Sequence, residues 1–96
     1  MNDAAPRPVL TVYRSPGCHL CDDAEVLLRD ELAARTRAGL PIPTVERVDI
    51  SIEPDLEARY RRRIPVFALA GEDVDLVSSQ RQVRGLLERI QPVAGV

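Results

Sequence analysis

The stretch Val9-Leu10-Thr11-Val12-Tyr13-Arg14-Ser15-Pro16-Gly17-Cys18-His19-Leu20-Cys21 decides how this chain is read. Its opening residues are a β-branched and aromatic run, which predicts a buried strand, and Ser15-Pro16-Gly17 stops that strand with a turn. From Cys21 to about Arg37 the apolar period changes. Ala24, Leu27, Leu28 and Leu32 fall on one helical face, while Arg29, Asp30 and Arg35 face away, which predicts an amphipathic helix. Gly39 and Pro41 end it. The two cysteines therefore sit where a strand hands over to a helix.

Working outward, residues 44–50 read as a second strand, with Val45, Val48 and Ile50 apolar. Pro54 suits the first position of a helix running to about Arg62, with Leu56 and Tyr60 on one face. Residues 65–70 predict a third strand, Gly71-Glu72 a turn, and residues 74–77 a fourth strand antiparallel to the third. Ser79 and Gln82 have capping-box spacing. Val83, Leu86, Leu87 and Ile90 follow at helical spacing, and Pro92 closes that last helix. The order β-α-β-α-β-β-α predicts an α/β fold with a right-handed parallel crossover and a hairpin. Its sheet is expected to be mixed and four-stranded, with helices on both faces. Residues 1–8 read as an N-terminal tail, 9–92 as a single domain and 93–96 as a C-terminal tail.

The chain has 96 residues, of which 45% are apolar, enough for one ordinary core. No apolar run approaches the ~20 residues that span a bilayer, and residues 1–8 lack the apolar core of a signal peptide. No membrane partner is expected. Thirteen basic against fifteen acidic residues give a net charge of −2, which argues against a nucleic-acid partner. All thirteen basic residues are Arg, so lysine chemistry such as Schiff bases is excluded. The two cysteines are too few for a secreted disulfide scaffold. A cytoplasmic, reducing setting and a monomer are the expectation.

With one His and two Cys in the chain, nucleophilic or redox chemistry has to run through Cys18-His19-Leu20-Cys21. A helix N-terminus leaves backbone N–H groups unpaired and carries partial positive charge, which favours a thiolate. The spacing lets Cys21, one turn into the helix, reach the sulfur of Cys18. Cys18 is then the attacking thiol and Cys21 the resolving one. Two blander readings stand beside this. A structural zinc site wants four ligands, and His19, between the cysteines, is poorly placed to join them, although two chains sharing their pairs would supply four. The pair can also be inert core thiols.

With Ile64-Pro65-Val66 opening the third strand downstream of the cysteine pair, the chain resembles the thioredoxin fold. Its short length and the run from Thr11 to Cys21 are similar to the glutaredoxin-like family in particular. The resemblance covers residues from about 9 to 90. It implies a thiol–disulfide oxidoreductase acting on disulfide-containing protein substrates. Glutathione or a thioredoxin-reductase-type donor is the implied reductant, and no bound cofactor or metal is expected. It also implies that Pro65 is cis and lies beside the nucleophilic thiol, and that the backbone of Ile64 pairs with a substrate chain.

The chain departs from the family pattern in several places. His19-Leu20 stands where glutaredoxins carry Pro-Tyr or similar, and the nearest preceding cation is Arg14 rather than Lys. Val77-Ser78-Ser79-Gln80 replaces the Gly-Gly and Asp that hold the γ-glutamyl end of glutathione. Ser78 and Ser79 are expected to offer backbone N–H groups to an anion there. His19, when protonated, favours the thiolate by charge, or else is an exposed loop residue. Asp22, Asp23 and Glu25 suit the helix dipole yet oppose a thiolate, which favours a reductase over a strong oxidant. Of the Arg59, Arg61, Arg62 and Arg63 cluster, Arg63 or Arg62 is expected beside the thiol as a carboxylate binder, the alternative being a solvated helix end. The second function class is a non-catalytic binding module using the same groove for a partner or a metal.

Overall fold

A computed structural model describes residues 7–90. The expected tail up to residue 6, Pro92 as helix terminator and the tail 93–96 lie outside the described residues. The strands are β1 (Val9–Arg14), β2 (Thr44–Asp49), β3 (Val66–Leu69) and β4 (Glu72–Val74), and the helices are α1 (His19–Arg37), α2 (Pro54–Tyr60) and α3 (Gln80–Leu87). They form one four-stranded sheet in the order β2-β1-β3-β4. β1 is central, parallel to β2 and antiparallel to β3, and β4 pairs antiparallel to β3. The architecture is the mixed, four-stranded α/β sheet that the element order implies.

Strand alternation explains the two layers. Leu10 and Val12 of β1 and Phe67 and Leu69 of β3 point to one face, where they pack with Ala24 and Leu28 of α1 and with Val83, Leu86 and Leu87 of α3. Tyr13 and Val66 point to the other, against Ile50, Leu56 and Tyr60. Helices thus cover both faces. α1 ends in a Schellman motif, with the Leu40 N–H donating to Arg35 O and that of Gly39, in the left-handed conformation at φ 74°, to Thr36 O.

Several boundaries differ from expectation for identifiable reasons. α1 begins at His19, before Cys21, because Cys18 acts as its N-cap. Arg35, expected to face away, is buried because its Nε donates to the Pro41 carbonyl at 2.8 Å, which satisfies the head while the stem packs. α2 stops at Tyr60, two residues early, where Arg63 and Ile64 both turn their N–H groups back to Tyr60 O. A single 3-10 turn at Ile50–Ile52 follows β2. β4 lies at Glu72–Val74 rather than 74–77, because the two-residue turn is Ala70-Gly71, both at positive φ (53° and 81°). Val77 then leaves the sheet and enters the core at 2% exposure.

Two expected results arise here. At α3 the full capping box forms, with Ser79 Oγ accepting from Gln82 N–H and Gln82 Oε1 accepting from Ser79 N–H. Ser79→Ala should cost about 1 kcal/mol and lower Tm by roughly 4–8 °C; an unchanged calorimetric Tm contradicts this. Asp49 caps the 3-10 turn, and the Ser51 hydroxyl and then the Ser51 N–H hold its carboxyl below the ordinary 3.8. A depressed folded-state pKa contributes stability that is present above the unfolded value and lost as pH falls through the folded one. The Tm gap between wild type and Asp49→Ala should therefore be constant above pH 3.8 and shrink below it.

Candidate functional site

The site grows from the junction of β1 and α1. Gly17 takes a positive φ of 74°, which turns the chain out of the sheet, and Cys18 follows in an extended conformation as the N-cap of α1. The Cys18 sulfur accepts the Cys21 N–H at 3.1 Å, the contact an N-cap oxygen ordinarily makes. One turn on, Cys21 faces inward. The two residues form a disulfide with their Cα atoms 5.2 Å apart, inside the usual range. Cys21 is fully buried whereas Cys18 is partly exposed, so of the two residues only Cys18 is reachable from outside. His19 and Leu20 are exposed at the helix start.

The charges around the pair are largely internal. Arg14 donates to Glu25 Oε2 at 2.6 Å and to Asp22 Oδ1 at 2.7 Å, and Arg47 donates to the other Glu25 oxygen. The hydrogen bonds that Arg14 donates to Asp22 and then to Glu25 push its guanidinium above its ordinary value, so it stays charged. Two of the three acids expected to oppose a thiolate are thus paired with guanidinium groups. Arg14 is the hub of this group, and sequence reasoning saw it only as the nearest cation.

The Ile64–Pro65 peptide is cis, as the resemblance implies. Tyr13 pairs with Val66 in the β1–β3 register, so residues 64–65 and 15–18 flank the sheet at the same end. Leu76 N–H donates to Arg63 O and Val77 N–H to Pro65 O, which ties the segment after β4 to the proline loop. The Ile64 N–H is taken by Tyr60 O at 3.0 Å, while its carbonyl accepts no hydrogen bond among the described residues. Of the Ile64 backbone, the carbonyl is the group without a partner among the described residues.

Arg63 is already occupied. Its Nε and Nη2 hold both oxygens of Asp75 at 2.9 Å, and its guanidinium carbon lies 4.9 Å from the Tyr60 ring centroid. The Tyr60 ring stacks on Tyr13 at 4.2 Å, so both tyrosines belong to the packing. Burial is the main cause that pushes the Tyr13 hydroxyl above its ordinary pKa. Ser78 and Ser79 are also engaged. Both N–H groups donate to Gln82 Oε1, at 2.7 and 3.0 Å, which accounts for the amides expected to receive an anion. Asp75 had no sequence signal as the partner of Arg63. Gln82 had one, its capping-box spacing. Among the described residues no group of three or more His, Cys, Asp or Glu is arranged to hold a metal ion. No helix among them is long and apolar enough to cross a membrane.

A thioredoxin-like sheet with a cysteine pair at the start of its first helix defines a redox-type thioredoxin-fold domain. The chain belongs to the glutaredoxin-like domain (DUF836) family, whose model matches residues 9–91. Among solved structures it is similar to the crystal structure of the structural-genomics target protein XcR50 from X. campestris. That likeness has 30% identity and a TM-score of 0.65, and covers 85% of this chain and 99% of that one. It is also similar to the solution structure of protein Ne2328 from Nitrosomonas europaea, at 25% identity and a TM-score of 0.50, covering 78% of this chain and 81% of that one. Among curated proteins none matches.

Proposed function

We propose that this chain is a glutaredoxin-like thiol–disulfide oxidoreductase in which Cys18 attacks and Cys21 resolves. The observation that supports this most is the asymmetry of the pair: a partly exposed Cys18 whose sulfur accepts a backbone N–H at a helix start, and a fully buried Cys21. An N–H donor and the positive end of the helix both favour the thiolate over the thiol.

In the reduced protein the Cys18 thiolate attacks one sulfur of a substrate disulfide. The substrate S–S bond breaks, one substrate sulfur leaves as a thiolate that takes a proton from solvent, and the other is joined to Cys18 as a mixed disulfide. Cys21, having lost its proton, then attacks the Cys18 sulfur. The Cys18–Cys21 bond forms, the second substrate thiolate leaves, and two electrons have passed from the pair to the substrate. The Ile64 carbonyl accepts an N–H of the substrate chain and Pro65 lines the approach to Cys18. Two glutathione molecules, or the dithiol of a thioredoxin-reductase-type donor, return the two electrons. The test is to mix the reduced protein with a disulfide-bridged peptide and quench by alkylation. One peptide disulfide reduced per protein oxidised is expected, and an intact peptide disulfide beside dithiol protein contradicts the reading.

A further inference from the structure

At the C-terminal end of α1, far from the cysteines, the described residues line an open cleft of about 250 Å3 between α1, the loop after it and α3. Arg35 lies fourteen residues beyond Cys21 on the same helix, which places it roughly 20 Å away along the axis. The two sites share no residue.

Arg35 is the unusual group in that cleft. It is only 8% exposed, and a buried guanidinium is ordinarily paired. Its Nε donates to the Pro41 carbonyl at 2.8 Å, which fixes the plane of the head. Its Nη1 and Nη2 have neither a hydrogen bond nor a carboxylate partner among the described residues. No sealed side-chain polar atom among those residues lacks a partner, so these two nitrogens are open, and Arg35 lines the cleft. The acid one turn back on α1 does not serve it. Glu31 is held by Arg84 through two hydrogen bonds of 3.2 and 3.0 Å.

The rest of the lining sets the ligand class. Ala34, Ala38 and Leu40 give an apolar wall, and Leu40 is left 42% exposed there. Two parallel N–H groups of a guanidinium match the two oxygens of a carboxylate. The charged lining residues, Arg35, Arg84, Glu31 and Glu88, sum to zero, so the lining carries no excess positive charge to hold a dianion, and the open Arg35 fork is what selects a single carboxylate. We propose that this cleft binds a small aliphatic monocarboxylate, its two oxygens on Nη1 and Nη2 of Arg35 and its tail against Ala34, Ala38 and Leu40. The volume limits the ligand to a short chain, since pockets for drug-sized molecules start near 300 Å3. The site is independent of the thiol chemistry proposed above and stands or falls without it.

The experiment is a chemical-shift titration of the uniformly labelled full chain, disulfide intact, with sodium hexanoate, hexanamide and inorganic phosphate at constant ionic strength. Hexanoate should give saturable shifts confined to residues 31–40 and 84–88, with hexanamide and phosphate at least tenfold weaker. Arg35→Lys keeps the charge and loses the fork, and should weaken hexanoate at least tenfold. Ala38→Leu leaves Arg35 in place, fills the cleft and should abolish binding; it decides the matter if Arg35→Lys does not fold. Absence of saturable shifts at those residues, hexanamide or phosphate binding as well as hexanoate, or undiminished binding in Ala38→Leu would overturn the proposal.

Discussion

Cys18→Ser is expected to reduce disulfide transfer to the uncatalysed rate while leaving the fold intact. The fold should survive because a serine oxygen accepts the N–H at an N-cap at least as well as sulfur does, so the Cys21 N–H keeps its partner. The chemistry should not, because a hydroxyl does not provide the thiolate that exchange requires. Cys21→Ser is expected to do the opposite, joining substrate to Cys18 and holding it there as a mixed disulfide. Since Cys21 is fully buried, Cys21→Ala is the parallel variant that avoids placing a hydroxyl in the core. Intact-mass spectrometry after exposure to a peptide disulfide reads all three. Transfer retained by Cys18→Ser, or no adduct on either Cys21 variant, contradicts the assigned roles.

The largest effect on stability is expected at Phe67. It is fully buried in β3 and packs on the face covered by α1 and α3, opposite Val12 in the β1–β3 register. Phe67→Ala removes most of a ring from a packed interior and should cost about 3–5 kcal/mol, against a total that is commonly about 5–15 kcal/mol. A chain of 96 residues should sit toward the lower part of that range. The variant is therefore expected to be largely unfolded near 37 °C and to show a much lower urea midpoint with little change in slope. A loss below about 1 kcal/mol would mean that the site collapses around the gap.

The elements that carry buried faces were legible in the sequence. β1, α1 and α3 declare themselves because burial dictates their residues at the period of two or of 3.6, and Leu10, Leu28 and Val83 all reach the core. What was not legible depended on single backbone groups finding partners. Nothing in Ala70 announces a positive φ, and alanine ordinarily avoids it, so the hairpin turn and β4 lie earlier than the apolar residues of 74–77 suggest. Arg35 was placed outside by its charge, and one carbonyl, that of Pro41, brought it in.

The candidate site divides in the same way. Cys18, Cys21 and the proline after Ile64 were readable because chemistry and backbone constraint fix the residue type. The occupancy of their neighbours was not. Arg63 meets Asp75 twelve positions away, and a pair at that separation exists only once the segment after β4 has been brought back against the proline loop. Ser78 and Ser79 spend their amides on Gln82, so the capping box and the expected anion site compete for the same donors, and the capping box holds them.

The most direct test of the central claim is a redox titration of the Cys18–Cys21 pair in glutathione buffers, read by alkylation and mass. The account predicts a reversible intramolecular disulfide with a potential between about −180 and −270 mV, the span from disulfide isomerase to thioredoxin. Cysteines that stay as two alkylatable thiols, or as one unreducible disulfide, across that whole range would contradict it.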